Sequence, residues 1–254
     1  MTDIHSHILF DIDDGSKNLD MTLDMIKNAV KDGTKKIVAT PHYCINYAEV
    51  PFYEVVKRVE NLRQIIKENQ IDIELFYGQE VYMSKYIVEQ YNENKIGTIN
   101  DTKYMLVELP LREIENDTLD MIYELQIKGI KIILAHPERY VPVINNPYII
   151  NDYVKEGLFF QMNAGSICGQ FGKKVEKTAD ILLKNNIYSF IGSDAHDNIK
   201  RTTGLSKAIN TIDKKKYIDT KLFFENAENM LRDKEVQHPS IIVPKKKYFF
   251  WRSK

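Results

Sequence analysis

Five of the six histidines in this 254-residue chain stand at or just beyond the end of an apolar run, as do two glutamates and an aspartate. His5 and His7 follow the opening Met-Thr-Asp-Ile, His42 closes 37–42, and Glu80 closes 73–80. Glu108 closes 104–108, His136 closes 130–136, and Asp194 and His196 close 187–196. Only His238 lies outside the pattern. Imidazole plus carboxylate, with no thiolate in the set, is ligand chemistry for zinc, manganese or iron. In His5-Ser6-His7, residues two apart on a strand point the same way, so both rings can grip one ion. Gathered in one pocket, the carboxylates would repel and some would protonate; divalent cations reverse that cost.

Each residue also has a blander reading. His42 fits a hydrogen-bonded core histidine, Glu80 and Glu108 fit lysine pairs at strand ends, and Asp194 fits a helix N-cap. None of these explains why all of them fall at the same end of a run. The acidic loop Phe10-Asp11-Ile12-Asp13-Asp14-Gly15 adds candidates, with Asp14 the first choice for a further ligand. It is not an EF-hand: the glycine comes one place early and the closing position holds Thr22 instead of glutamate. Arg139 lies three residues after His136, and Arg201 five after His196. Guanidinium matches phosphate bidentately, so both are candidate phosphate holders, the alternative being surface ion pairs.

Such residues converge only if the runs are parallel strands, whose carboxyl ends share one face. Seven runs read as buried strands: 2–7, 36–42, 73–82, 104–110, 130–136, 158–165 and 187–196. Between them, apolar residues at helical spacing predict helices over 19–31, 52–68, 84–94, 118–128, 147–156, 173–186 and 201–212, with a last one over 221–232. Gly33, Gly129 and Gly157 fall where C-caps belong. Repeated strand–helix alternation implies parallel strands with right-handed crossovers. The expectation is a distorted (β/α)7 TIM-like barrel with its metal site at the carboxyl ends of the strands. An open doubly wound sheet is second, because its site draws on few strand ends.

Composition bounds the function. A net charge of −1 argues against a general nucleic-acid binder. Two cysteines, Cys44 and Cys168, give neither a disulfide framework nor zinc-knuckle spacing. Cys-x5-Arg, the thiolate phosphatase pattern, is absent: Val50 and Lys174 stand where the arginine would be. Gly-rich phosphate loops and dinucleotide fingerprints are also absent. No signal peptide and no run of ~20 apolar residues is seen, so a cytoplasmic protein without an integral membrane segment is expected. The expected division is a catalytic barrel over 1–235 and a basic, aromatic C-terminal tail over 236–254, rich in Lys, Tyr, Phe and Trp from Pro244 onward. That tail reads as packing on the barrel bottom, or as a docking segment for an acidic partner or membrane surface.

Asp3-Ile4-His5-Ser6-His7, Asp13-Asp14-Gly15, Thr40-Pro41-His42, Gly78-Gln79-Glu80, His136-Pro137-Glu138-Arg139-Tyr140, Asn163-Ala164-Gly165-Ser166 and Ser193-Asp194-Ala195-His196 together resemble the PHP (polymerase and histidinol phosphatase) superfamily. Within it they resemble the CpsB/CapC group of bacterial protein-tyrosine phosphatases of capsule and exopolysaccharide clusters. The resemblance spans roughly residues 1–235 and implies a trinuclear centre, manganese first, with iron or zinc as alternatives. By analogy one ion takes His5, His7, Glu80 and Asp194; a second takes Glu80 as a bridge with Glu108 and His136; a third takes Asp14, His42 and His196. The implied reaction is hydrolysis of phosphotyrosine without a covalent enzyme intermediate, by cation-activated water, with Arg139 and Arg201 on the phosphate. The implied partner is the phosphotyrosine tail of a cognate bacterial tyrosine kinase, with transient contact where that kinase is membrane-associated. Alternatives are histidinol-phosphate phosphatase, another PHP-type phosphoesterase such as a nuclease or cyclic phosphate hydrolase, and a non-enzymatic metal-binding scaffold that docks a kinase.

Overall fold

The computed structural model describes residues 1–238 and 242–244. Among the described residues every ladder between strands is parallel. One sheet runs β1 (Thr2–Ser6), β2 (Lys36–Ala39), β4 (Glu74–Tyr77). The other runs β3 (His42–Tyr43), β5 (Glu80–Tyr82), β6 (Tyr104–Glu108), β7 (Lys131–Ala135), β8 (Phe159–Asn163), β9 (Phe190–Gly192). β2 and β3 come from one predicted strand, as do β4 and β5. The first break falls at Pro41, which has no N–H to give to a ladder. Hydrogen bonds nevertheless carry across both breaks: Gly78 N–H donates to Ala39 O (2.9 Å) and Glu80 N–H to Pro41 O (3.0 Å). The fold is thus mixed α/β with a curled parallel sheet. At the other edge, Ser6 bridges Ala195, with Asp194 N–H donating to His5 O and His7 N–H to Ala195 O, both at 2.8 Å.

Helices cover the sheet. α1 (Leu19–Lys31) and α2 (Phe52–Glu68) span the predicted residues. Asn18 caps α1 by accepting Met21 N–H. α3 (Ile87–Asn92), α4 (Thr118–Ile127), α8 (Lys173–Lys184) and α10 (Lys221–Leu231) are trimmed versions of predictions. The helix expected over 147–156 opens as a 3-10 turn at Pro147–Ile149 and becomes α6 (Ile150–Lys155). α9 (Leu205–Lys215) starts four residues late, because the Asp197 carboxylate accepts the N–H groups of Ile199, Lys200 and Arg201 and fixes a loop there. Two short helices were not foreseen, α5 (Val141–Asn145) after Tyr140 and α7 (Ala164–Ile167), which Asn163 caps through Gly165 N–H. The run 187–196 keeps only three residues of strand, since Asp194 turns to φ 52°.

Alternation along the strands separates two faces. Tyr104, Leu106, Ile133, Phe159 and Phe190 share one buried cluster with Val38. Met105, Val107, Ile132, Leu134, Phe160 and Met162 share another, with Ile122 of α4 and Leu182 of α8. Phe159, Gln161 and Asn163 follow one another at two-residue spacing in β8, so the first cluster lies directly beneath the polar groups of the site. Beyond α10, Asp233 accepts Lys103 N–H (2.8 Å) and the Tyr104 hydroxyl donates to Lys234 O (2.8 Å), fastening the chain across the amino ends of the strands. Val236 and Val243 are buried there, and Val243 exchanges two hydrogen bonds with the Asn151 amide. Lysine- and aromatic-rich residues 245–254 lie outside the described residues.

Candidate metal centre

All nine predicted ligand positions face one point at the carboxyl ends of the strands. β1 brings His5, with His7 just past its end, the start of β3 brings His42, and that of β5 brings Glu80. Glu108 ends β6, His136 follows β7, and Asp194 and His196 follow β9. Asp14 hangs over the mouth from the loop after β1, 3.3 Å from His196 Nε2. Three sets have donor atoms all within 4.8 Å of one another: His5, His7, Glu80 and Asp194; His7, Asp14, His42 and His196; and His42, Glu80 and Glu108. The first matches the set implied by the resemblance. In the others His7 joins the Asp14 group, and His42 stands with Glu80 and Glu108. His136 also borders that pair, its Nε2 lying 3.0 Å from Glu80 Oε1 and 3.5 Å from Glu108 Oε1.

The geometry fits cations. His5 Nδ1 faces Gln161 Oε1 at 3.0 Å, and His7 Nδ1 faces Asp13 Oδ2 at 2.7 Å. Both partners are acceptors, which holds a proton on each Nδ1 and turns the Nε2 lone pairs inward. The Gln161 amide is fixed by its own Nε2–H, which donates to Met162 O. The two Nε2 atoms then stand only 3.2 Å apart, and Glu80 Oε2 lies 3.1 Å from one and 3.2 Å from the other. His42 Nδ1 lies 3.2 Å from the same oxygen. Lone pairs packed so closely require positive charge between them.

The electrostatics of these groups point the same way. Burial works to lower His7, yet Asp13 and Glu80 hold it well above its ordinary pKa. Glu80 is opposed by burial but held well below the carboxylate range by His5, His42 and His136. Burial and the Glu80 charge push Glu108 well above it. Burial and Arg139 bring His136 down to about 4, leaving a neutral ring. Two centre residues, His136 at φ 29° and Asp194 at φ 52°, hold left-handed backbone that costs non-glycine residues about 1–3 kcal/mol each.

Asp194 has two distinct sides. Its Oδ1 points at His7 Nε2 (3.5 Å) and His5 Nε2 (3.7 Å). Its Oδ2 accepts from Arg139 Nη1 (2.7 Å), Arg201 Nη2 (2.7 Å) and Asn163 Nδ2 (2.6 Å). The two arginines therefore meet at the centre, and neither makes the surface ion pair that was the alternative. Both guanidiniums lie over the Phe171 ring, at 4.7 and 5.9 Å from its centroid. Behind them Glu138 is fully buried and accepts Asn163 N–H (2.9 Å) and the Tyr188 hydroxyl (3.0 Å). Neither thiol belongs to the three donor sets, and burial raises both Cys44 and Cys168 above the ordinary cysteine pKa.

A family model described as capsular polysaccharide synthesis, CpsB/CapC, matches residues 1–232. The chain belongs to the CpsB/CapC family. It is 30% identical to the tyrosine-protein phosphatase YwqE of Bacillus subtilis over 251 residues, 98% of this chain and 99% of that protein. To the tyrosine-protein phosphatase CpsB of Streptococcus pneumoniae it is 29% identical over 241 residues, 92% of this chain and 99% of that one. A crystal structure from work on YwqE and CpsB, described as unique metal-dependent tyrosine phosphatases, superposes with a TM-score of 0.91 at 29% identity, covering 97% of this chain and 100% of the other. A zinc-bound histidinol phosphate phosphatase of Lactococcus lactis shares the fold with a TM-score of 0.58 at 15% identity.

In this CpsB/CapC-family chain, sequence reading overlooked the residues that orient the others. Asp13 is indistinguishable from Asp14 when two aspartates adjoin. Phe171 gave no signal. Gln161 did leave one, as an amide in the otherwise apolar run Leu158–Met162, two residues before Asn163.

Proposed function

We propose that the chain is a metal-dependent tyrosine-protein phosphatase of capsular polysaccharide synthesis. The observation that carries this reading is the double role of Asp194. One oxygen faces the paired imidazoles of a cation centre, and the other gathers two arginines and an asparagine. Cation sites and fixed positive forks meeting at one carboxylate suit a phosphate monoester, whose dianion needs both. Family membership and the metal-dependent relatives support the same conclusion.

His5, His7, Asp14, His42, Glu80, Glu108, His136, Asp194 and His196 are the proposed ligands. Three ions, manganese first, is the occupancy we infer, by the analogy that assigns the three sets. Bound divalent ions supply a water acidified towards neutrality and withdraw charge from phosphoryl oxygens. The protein's own groups do the rest. Gln161 and Asp13 keep the His5 and His7 lone pairs aimed inward. Arg139 and Arg201, with 18% and 27% of their side chains exposed, reach from Asp194 towards the mouth and hold the phosphoryl oxygens. Phe171 keeps both guanidinium planes in place. With both thiols raised and neither followed by a phosphate-loop arginine, no covalent cysteine intermediate is invoked.

The substrate we infer is the phosphotyrosine tail of a cognate bacterial tyrosine kinase, met in the cytoplasm. Among the described residues no helix is long and apolar enough to cross a membrane. We also read the curled sheet as a distorted (β/α)7 barrel over 1–235, a reading supported by the Ser6–Ala195 bridge between its edges. The deciding experiment is steady-state kinetics of manganese-supplied protein on a phosphotyrosine peptide and on histidinol phosphate. A kcat/KM far higher on the peptide is expected; preference for histidinol phosphate overturns the assignment.

A further inference from the structure

Beside the centre, on the Arg201 side, the protein forms a second cavity of about 370 Å³. One wall is the turn that leaves α7, with Gly165 and Gln170; the other is the segment carrying Lys200, Thr202 and Thr203, joined by Lys207 of α9. The walls are tied where Gln170 Nε2–H donates to Lys200 O at 2.9 Å. Both are continuous with the catalytic groups. Arg201 stands between Lys200 and Thr202, and its guanidinium reaches Asp194. Gly165 is two residues beyond Asn163, which also reaches Asp194. Phe171, next to Gln170, packs beneath both guanidiniums.

The charged side chains that line the cavity are both basic, Lys200 and Lys207. One carboxylate, that of Glu176, stands behind the Gly169 wall, 3.2 Å from where a Cβ on that glycine would lie. Asp197, the nearest carboxylate in sequence, is occupied with the backbone N–H groups of residues 199–201. Elsewhere on α9 a lysine is matched, with Lys215 bound to Asp180 at 2.8 Å. Thr202 and Thr203 add hydroxyl-bearing side chains to a lining otherwise made by Gln170, Cys168, Ala164 and glycines.

We propose that this cavity is a substrate subsite that takes an acidic side chain of the peptide flanking the phosphotyrosine. It rests on the phosphotyrosine reading and deepens it. Metal ligands and arginines read only the phosphate; discrimination among phosphotyrosine segments needs contacts beyond it. An extended peptide advances about 3.4 Å per residue, so a chain leaving the Arg201 side reaches Lys200 within a few positions. The lysines act there as point charges on flexible stems, which tolerates either aspartate or glutamate. Exposed charge pairs contribute little individually, so the preference is modest and salt-sensitive.

The test uses two phosphotyrosine peptides of equal length, one with glutamates and one with glutamines on both sides of the phosphotyrosine, and p-nitrophenyl phosphate as a substrate without flanks. Manganese-supplied wild-type protein should favour the acidic peptide by about 3- to 10-fold in kcat/KM, mainly through KM, and the preference should shrink in high salt. Lys200→Met/Lys207→Met should treat the peptides alike and hydrolyse p-nitrophenyl phosphate as the parent does. Equal treatment of the peptides by wild-type protein overturns the subsite, and so does a preference that survives in the double variant. Failure to hydrolyse any of the three substrates overturns the phosphatase reading and the subsite with it.

Discussion

Asp13 Oδ2 lies 2.7 Å from His7 Nδ1 and, in the same position, accepts the backbone N–H of His42 at 2.9 Å. One carboxylate oxygen therefore sets the ring of one proposed ligand and the backbone of another. Its second oxygen accepts Gly15 N–H, so the loop that carries Asp14 is fixed by the same side chain. Outer partners of this kind commonly account for about 10- to 100-fold in metal affinity. Asp13→Asn, which keeps an acceptor but loses the charge, should fold normally and bind manganese about tenfold or more weakly by titration calorimetry. Unchanged affinity would reduce Asp13 to a loop fastener.

How much of this was legible beforehand follows from what each residue does. Most ligand positions were readable because a strand end is marked by an abrupt change from apolar to polar, and six of the seven runs carry a ligand there. Their convergence followed from parallel strands alone. Asp13 and Gln161 were not readable, because a residue that touches a ligand side chain need not share its place in a run. The break within each of the second and third strand runs was hidden for a different reason. The two runs stay paired with each other across Pro41 and Gly78, and only their outer neighbours change there, β1 lying beside β2 and β6 beside β5, which no local sequence pattern marks.

Neither thiol has the setting of a nucleophile, and burial raises both. Cys44→Ser and Cys168→Ser should retain nearly full turnover of phosphotyrosine peptide. Chelator should abolish turnover and manganese should restore it, with two to three ions per chain found by elemental analysis on the family analogy. A well-folded cysteine variant without activity, together with indifference to chelator, would point to thiolate chemistry.

Glu235 pairs with Lys131 and with Lys103 (2.9 Å), and these contacts, that to Lys131 foremost, hold its carboxyl down at about 2. A carboxylate depressed in the folded state stabilises above its unfolded pKa of about 4.3 and loses that contribution as pH falls towards the folded value. Glu235→Gln should therefore melt slightly below the parent at pH 7, and the gap should close as pH falls from about 4 to 2. A gap independent of pH would mean that the side chain acts by packing.

Gly192 ends β9 against β1. A Cβ placed there would lie 2.5 Å from His5 Cβ and 2.9 Å from Gln161 Nε2. Neither neighbour can retreat without moving a proposed ligand or the amide that orients it. Gly192→Ala should cost about 1–3 kcal/mol of stability in chemical denaturation, the usual range for overpacking. Metal content should fall in the same preparation. Parent-like stability with full metal content would show that the edge between β9 and β1 is slack.

Arg139 and Arg201 share one carboxylate oxygen but differ in their surroundings. Arg139 is the less exposed and stacks closer on Phe171, so its fork is the better fixed. Losing a preorganised donor at a transition state typically costs about 10²–10³ in rate. Arg139→Ala should lose about that much kcat/KM on a phosphotyrosine peptide while retaining its metals, and Arg139→Lys should recover part of it, because a point charge cannot make the bidentate contact. Arg201→Ala should lose less, since Arg139 still holds the phosphate. Metal content measured on the same samples separates this from a purely structural role. If either arginine served only to neutralise Asp194, its alanine variant would lose metal and activity together. Turnover by Arg139→Ala within threefold of the parent would transfer the phosphate-holding role to Arg201.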